Sequence, residues 1–193
     1  MHNHATQRGE PLGAEGALDG FVRVAGGLRS DMTRGLLDFW TALRGRCGGL
    51  PTRAMVEPAA IGSRILPHIF LCEYLDDGGV LIRLQGSYLG SRAYQALTGQ
   101  RIGPKSFGGN SSAILSIYNA VRALERPIGT HERSMRPDCP VIVAEVLHTP
   151  LAAEPGGPAR FVLGALDRID EADPASAEGA LWGRFAVKLV DPL

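Results

Sequence analysis

The sequence predicts an α+β fold in which helices cross a single antiparallel sheet. Two short runs of β-favouring residues, Ile69–Tyr74 and Val80–Gln85, flank Asp76-Asp77-Gly78-Gly79, whose residues tolerate the positive φ values of a tight turn. Further along, apolar residues repeat at helical spacing between Ile114 and Leu124, and after Pro127 the period falls to two. A β-hairpin, then helices, then more strands is the order that these patterns indicate.

Length and composition favour one domain with extensions at both ends. The chain has 193 residues, of which 45% are hydrophobic, and its formal net charge is zero. Balanced charge argues against nucleic acid or an anionic membrane surface as a partner, since both usually need a basic patch. No apolar run approaches the roughly 20 residues of a spanning helix, and no secretory signal is evident, so we expect a cytoplasmic protein. Three widely separated cysteines, Cys47, Cys72 and Cys139, indicate reduced thiols.

The N-terminal third begins with a glycine-rich segment, residues 1–29, which we expect to be a flexible arm with a short turn of helix around residues 18–24. Ser30 or Asp31 then caps a helix over residues 31–45, because apolar residues recur there at three and four positions. A short helix over residues 58–66 stops at Pro67. The hairpin follows directly.

After the hairpin, the pattern predicts a helix that ends at Gly99, an irregular loop through residues 103–109, and a longer helix that Pro127 closes. Three strands complete the sheet, at Ile128–Met135, Val141–His148 and Arg160–Ile169. The domain therefore covers residues 30–170. Residues 171–193 form an apolar tail, either helix or strand, which we expect to pack on the domain or on another subunit.

Six stretches in this order resemble the PAS_5 family, a group of PAS-like domains found largely in alphaproteobacteria. They are LLDFWTALRGRCGGLPTRAMVEP, RILPHIFLCEY, LIRLQGSYL, LTGQRIG, ERPIG and VLHTPLA. The family pattern falls on Trp40, Arg44, Leu66-Pro67, Arg83–Gly86 and Thr98-Gly99. The resemblance covers residues 36–169 and implies a PAS-like, five-stranded antiparallel sheet with helices on one face and an N-terminal helix. It also implies a sensory or regulatory module in signal transduction.

Catalytic and metal-binding patterns are absent from the sequence. There is no HExxH, P-loop, GxSxG or Rossmann-type glycine fingerprint. His131 and Glu132 are adjacent on a predicted strand, so they point to opposite faces and cannot converge as an acid and a base. His68, Cys72, His131, Cys139 and His148 lack the spacing of metal ligands. We therefore expect neither an enzyme nor a metal site.

Two cofactors of PAS-like proteins are disfavoured, and the identity of any cofactor stays unknown. Flavin-photoreceptor members resemble one another through a motif that supplies a cysteine, whereas this chain offers Asn110-Ser111-Ser112-Ala113 at that place. Haem-sensing members usually supply a histidine from the helix before the third strand, and residues 110–125 contain none.

If the resemblance holds, an apolar cavity between sheet and helices is the expected ligand site. Its candidate walls are Tyr88, Tyr94, Phe107, Leu115 and Tyr118. On the second strand we expect Ile82, Leu84 and Gly86 to face this cavity. His131 and Arg133 share one face of the third strand and, if that face is inward, would bind an anionic or hydrogen-bonding ligand. The alternative is that the aromatic residues are plain core and the polar ones lie on the outer face.

Two further features of the sequence admit a structural and a functional interpretation. Arg83 lies in the middle of a strand, where pairing with Asp38 or Glu73 and packing under Trp40 would make it structural. The apolar stripe Leu36, Phe39 and Trp40 on the first helix either forms a homodimer interface, with Trp182 and Phe185 contributing, or covers the chain's own sheet.

The function expected from the sequence is binding. No kinase, cyclase or helix-turn-helix follows the domain, so we expect a stand-alone module that binds a small ligand, a protein partner in signalling, or both. A ligand-free interaction or dimerisation module is the alternative, and an enzyme on this scaffold is the third hypothesis.

Overall fold

The structure is a computed structural model of the chain. It describes residues 18, 22–24, 26–93, 96–103, 111–134, 142–169 and 185–190. The helices are α1 (Asp31–Arg44), α2 (Pro58–Ile61), α3 (Ser87–Ala93) and α4 (Ser111–Leu124), with short 3₁₀ turns at Arg53–Met55 and Leu66–His68. The strands are β1 (Val22–Val24), β2 (Ile69–Tyr74), β3 (Val80–Gln85), β4 (Arg101–Ile102), β5 (Ile128–Ser134), β6 (Ile142–Ala152), β7 (Ala159–Ile169) and β8 (Phe185–Val190).

All the described strands belong to one sheet, in the order β1-β8-β5-β6-β7-β2-β3-β4. The five strands predicted from the sequence, β2, β3, β5, β6 and β7, form its centre and pair antiparallel. The α+β class with one antiparallel sheet is thus confirmed. The predicted number of strands is wrong, because β4 extends one edge while β8 and β1 extend the other.

The three additional strands are short or lie outside the predicted domain. Residues 101–102, predicted as loop, form β4 against β3, where the amide of Ile82 donates to the carbonyl of Gln100 at 2.9 Å. Residues 22–24 form a strand rather than the expected turn of helix, and β1 pairs parallel with β8 from the apolar tail. Strands of two or three residues have no period to detect, so the sequence pattern missed them.

Two predicted helices are shorter than expected. The helix predicted over residues 58–66 ends as α2 at Ile61, because Gly62 adopts φ +90° and the chain turns before the 3₁₀ turn at Leu66–His68. The helix predicted to end at Gly99 is present as α3, and residues 94–95 lie outside the described part of the chain. No helix among the described residues combines the length and apolarity needed to cross a membrane.

Helix α1 forms as the sequence predicts. Ser30 is its N-cap, and its side-chain oxygen accepts a hydrogen bond from the amide of Met32 at 3.0 Å. The apolar stripe of α1 packs on the chain's own sheet: Leu36 is fully buried, and the indole of Trp40 donates to the carbonyl of Pro150 at 2.8 Å. This helix therefore covers one face of the sheet.

Helix α4 covers the opposite face, so the core has two halves. The half under α1 includes Ile69, Leu71 and Leu147. The half under α4 includes Cys72 and Tyr74 from β2. We call the two sides of the sheet the α1 face and the α4 face. Because side chains alternate along a strand, neighbouring residues of β2, β5 and β6 point to different faces.

A β-bulge in β3 changes the side-chain directions that simple alternation predicts. The register with β2 shifts between Leu71 and Cys72, so that Ile82 pairs with Cys72 while Leu84 pairs with Leu71. Ile82 is buried as predicted, but Leu84 is 40% exposed, so its predicted place facing the cavity is wrong. The bulge leaves Arg83 at the surface, paired with Glu73. The pairing predicted for Arg83 is confirmed.

Gly86, the glycine of the third quoted stretch, is required by a close approach of two backbone segments. Its amide donates to the carbonyl of Ile69 at 2.8 Å, and an added Cβ would lie 2.2 Å from the carbonyl oxygen of Pro67. We expect Gly86→Ala to destabilise the domain by about 2 kcal/mol, because backbone atoms must move to relieve the overlap. Urea unfolding monitored by circular dichroism measures the change.

Gly90→Ala is the matched control. A Cβ at this α3 position meets no atom within 4 Å, and alanine favours a helix by about 1 kcal/mol over glycine. The control variant should be as stable as the wild type or slightly more so. Equal unfolding midpoints for the two variants would contradict the assigned contact.

Candidate functional site

A group of polar side chains interrupts the apolar packing between α4 and the sheet. We call it the Tyr118 cluster; its members are Cys72 and Tyr74 on β2, Tyr118 on α4, Glu132 on β5 and His148 on β6. Cys72, Tyr74, Tyr118 and His148 are all buried. Alternation places the four strand residues on the α4 face, and the period of α4 turns Tyr118 toward them.

Hydrogen bonds and ring contacts tie together four members of the cluster, all but Glu132. The hydroxyl of Tyr74 donates to the backbone carbonyl of Tyr118 at 2.5 Å, and the hydroxyl of Tyr118 lies 3.2 Å from the Cys72 Sγ. The Tyr118 ring meets the rings of Tyr74 and His148 edge to face, at centroid distances of 6.4 and 5.4 Å. The guanidinium of Arg122 stands 5.2 Å from the centroid of the Tyr74 ring. These contacts fix Tyr118 from three sides.

Burial keeps the cluster almost free of charge at neutral pH. Removal from water raises the pKa of the Cys72 thiol to about 12 and raises the pKa values of both tyrosines above their usual range. The same desolvation lowers the pKa of His148 to about 4, so its imidazole is neutral. Thiol, phenols and imidazole therefore act as uncharged donors and acceptors.

Glu132 is the acidic member of the cluster. Burial raises the pKa of its carboxyl to about 7, although the Thr130 hydroxyl donates to it at 3.2 Å. Burial is the main cause that raises the pKa of Tyr118. Cys72, Tyr74 and the charge of Glu132 add smaller contributions in the same direction. At neutral pH Glu132 is therefore a mixture of two forms. The protonated carboxyl can donate a hydrogen bond, whereas the carboxylate only accepts.

The sheet separates two residues that the sequence grouped as ligand-binding candidates. Tyr118 lies on the α4 face, whereas His131 points to the α1 face and its Nε2 lies 3.0 Å from the Glu145 Oε2. Glu132, the neighbour of His131, faces the Tyr118 cluster, which confirms that this adjacent pair does not converge. One ligand cannot contact Tyr118 and His131 together while the sheet is intact.

The remaining ligand-binding candidates are dispersed or undescribed. Tyr88 stacks on the His68 ring, with centroids 4.0 Å apart. Tyr94 and Phe107 lie outside the described residues. Arg133 pairs with Val143 in the β5–β6 register, and its side chain is likewise outside the described part. These assignments stay predictions.

Of the three residues predicted for a dimer interface, two are used inside the domain. Leu36 and Trp40 are buried between α1 and the sheet. Phe39 keeps some exposed surface and lines a groove of about 230 Å³. The other residues along this groove are Leu43, Arg46, Met55, Glu57 and Ala60. Self-association through Phe39 stays a prediction.

Sequence reasoning missed several members of the Tyr118 cluster. Cys72 and His148 were considered only as metal ligands, and among the described residues no His, Cys, Asp and Glu side chains are grouped to hold a metal. Tyr74 was not singled out, and Glu132 was considered only as a catalytic partner of His131. The available signal was the period of two: once Phe70 is placed on the α4 face, Cys72 and Tyr74 follow it there.

Comparison with known protein families identifies the family of this chain. A sequence model of the PAS_5 family, described as a PAS domain, matches residues 28–167. Similar solved structures include the Rhodobacter sphaeroides LOV protein, with a TM-score of 0.41, 15% identity, and coverage of 78% of this chain and 74% of that one. The d2 variant of RsLOV gives a TM-score of 0.39 at 14% identity, covering 79% and 74%. No curated protein matches the sequence significantly.

The pKa values of Glu132 and His148 predict opposite effects of pH on stability. Glu132 holds its proton more tightly in the folded state, so its contribution to stability is lost as pH rises from about 4.5 to about 7. His148 resists protonation when folded, so its contribution is lost as pH falls from about 6.5 to about 4. Each slope reaches about 1.4 kcal/mol per pH unit, and between pH 4.5 and 6.5 they oppose each other.

Single substitutions should separate the two effects. We expect Glu132→Gln to become more stable as pH rises from 4.5 to 6.5, since only the His148 effect remains. His148→Gln should become less stable over the same range. Urea unfolding at half-unit pH steps measures both, and parallel profiles for the two variants would contradict the assigned pKa directions.

Proposed function

The chain belongs to the PAS_5 family of PAS domains, and from this premise we propose that it binds a small hydrogen-bonding molecule at the Tyr118 cluster. A PAS domain of this kind suggests a sensory module. In the proposed mechanism, ligand binding shifts α4, and a protein partner in a signalling pathway recognises the shifted form.

The observation that carries this proposal is the row of uncharged polar groups in an otherwise apolar interface. The Tyr118 hydroxyl and the Cys72 thiol partner each other at 3.2 Å, and the His148 Nδ1 lies 3.4 Å from the carbonyl of Ile128. One contact uses a weakly bonding thiol and the other is long, so these groups can bond a polar molecule in their place. Their lack of charge favours an uncharged ligand or one that pairs with the carboxyl of Glu132.

The contacts also suggest how a ligand would act. A thiol is a weak donor and a weak acceptor, so a ligand with a stronger acceptor replaces Cys72 as the partner of the Tyr118 hydroxyl at small cost. Tyr118 lies on α4, and its backbone carbonyl is held by Tyr74. Moving the Tyr118 ring therefore acts on the position of α4. This places the proposed response on the helix next to the ligand.

The proposal does not include turnover. His131 and Glu145 are the described pair that most resembles a base and its orienting carboxylate, but both are buried, with His131 7% and Glu145 0% exposed. A reacting molecule would need to reach His131. We therefore propose a binding role, in agreement with the lack of catalytic motifs in the sequence.

The test of the ligand proposal is to identify what the protein carries. We expect gently purified protein, once denatured, to release one small molecule in stoichiometric amount by mass spectrometry. His148→Phe keeps a ring of similar size beside Tyr118 but removes both nitrogens, so we expect at least a tenfold loss of the bound compound. His68→Phe is the matched control, because that ring stacks on Tyr88 and should leave the occupancy unchanged.

An empty wild-type protein would contradict the ligand proposal. A compound retained equally by both variants would show that it binds away from the Tyr118 cluster.

A second candidate function is a ligand-free interaction module, favoured by the groove beside Phe39. This groove has apolar walls from α1 and Met55, with the charges of Arg46 and Glu57 at its side, which suits contact with another protein or a second copy. We expect Phe39→Glu to abolish any dimer seen by analytical ultracentrifugation at micromolar concentration. Thr41→Glu, on an exposed position of the same helix, is the control. A dimer that persists in Phe39→Glu would exclude the groove as the interface.

A further inference from the structure

The carboxylate of Glu145 is fully buried on the α1 face, where it accepts hydrogen bonds from two amides and a hydroxyl and lies against the Nε2 of His131. The amide of Arg29 donates to Oε2 at 2.8 Å and to Oε1 at 3.0 Å. The amide of Ser30 and the hydroxyl of Thr33 donate to Oε1 at 2.9 and 2.5 Å. The Nε2 of His131 lies 3.0 Å from Oε2. Four groups from two parts of the chain thus converge on one side chain.

This arrangement favours an ionised carboxylate. Protonation of Glu145 would turn one oxygen into a donor and weaken the bonds which that oxygen accepts, and the Thr33 hydroxyl would then keep only its second acceptor, the Ser30 carbonyl at 3.0 Å. Burial opposes the charge, but the bonds from His131, Thr33 and the two amides outweigh it and hold the pKa of Glu145 below its usual value. The amides belong to the positive end of α1, which adds to the preference for a negative charge.

The donors from the N-terminal side lie on one short segment, residues 26–33, which we call the strap. It connects β1, at the outer edge of the sheet, to the first turn of α1 above β6 and β7. Gly26 opens the strap at φ +105°, a conformation that glycine adopts readily, and a Cβ there would meet nothing within 4 Å. Further along, the Ser30 hydroxyl donates to the Asp167 Oδ2 at 2.8 Å. The strap thus carries these polar contacts together with two buried apolar side chains, Leu28 and Met32.

The rest of α1 is attached by different forces. Leu36, Trp40 and Leu43 are buried in the core of the α1 face, and the Trp40 indole bonds the carbonyl of Pro150. None of these contacts involves Glu145. Loss of the Glu145 bonds consequently removes the main polar attachment of the strap and leaves the apolar attachment of α1 in place.

We propose that residues 26–33 open as a unit when Glu145 stops accepting hydrogen bonds, uncovering His131 while the sheet and the remainder of α1 stay folded. The strap is thus a conformational device built into the fold. It lies on the face of the sheet opposite to the Tyr118 cluster, so this inference stands or fails independently of the ligand proposal.

Amide hydrogen exchange on the Glu145→Gln variant tests the strap. Glutamine replaces one accepting oxygen by an NH₂ group, which donates and cannot accept the bonds from the strap. We therefore expect the amides of Arg29, Ser30 and Met32 to exchange at least a hundredfold faster than in the wild type. The amides of Leu147 and Leu163, in the centre of the sheet, should keep their wild-type rates. Glu132→Gln is the matched control: it makes the same change on the adjacent strand and the other face, and should leave the strap amides unchanged.

Thr33→Val keeps the inference testable if Glu145→Gln does not fold. It removes one donor to the carboxylate and preserves side-chain shape, so we expect exchange in the strap to rise on the order of tenfold, the effect of losing one hydrogen bond to a charged group. Strap and sheet amides that accelerate together would show that no separate unit opens. Strap amides that keep their wild-type rates in either variant would show that Glu145 does not hold it.

Discussion

A buried carboxylate determines how the N-terminal helix meets the sheet. Glu145 has no access to solvent, and an isolated charge in such a place would cost several kcal/mol. The charge is tolerated because α1 begins above it and supplies amide and hydroxyl donors, while His131 supplies another from β5. Satisfying Glu145 fixes where the first turn of α1 lies, while the buried apolar stripe holds the rest of the helix on this face.

The same two strands carry the polar groups of both faces. On β5, His131 points toward Glu145 on the α1 face and Glu132 toward the Tyr118 cluster on the α4 face. On β6, Glu145 points to the α1 face and His148 to the α4 face. One face holds an ionised carboxylate, and the other holds groups that burial keeps neutral together with Glu132, whose pKa burial raises to about 7. The two strands pair along seven residues, from Ile128↔His148 to Ser134↔Ile142, so both clusters are built on the same backbone.

Sequence alone predicted the parts of this fold that have a strong local signal. The hairpin turn, the Ser30 cap and the β-branched strands each identify their element from neighbouring residues. The β-bulge at Arg83 and the strands β1, β4 and β8 depend on pairing between distant segments, which local patterns do not record. The site was predicted only in part for the same reason: Tyr118 was placed correctly on the helix, but its partner Cys72 is 46 residues away in sequence. Glu145 has no local signal either, because the amides and the hydroxyl that donate to it lie 112 to 116 residues away in sequence.

The central claim is that the sheet separates a neutral polar cluster from an ionised one, and the protonation states of two carboxyl groups test it most directly. Carbon-13 NMR of the side-chain carboxyls, recorded as a function of pH and assigned with the two Glu→Gln variants, reports each group. The account predicts that Glu132 titrates near pH 7, while Glu145 stays ionised to below its usual pKa of 4.5. Titration of both groups together near pH 4.5 would contradict it.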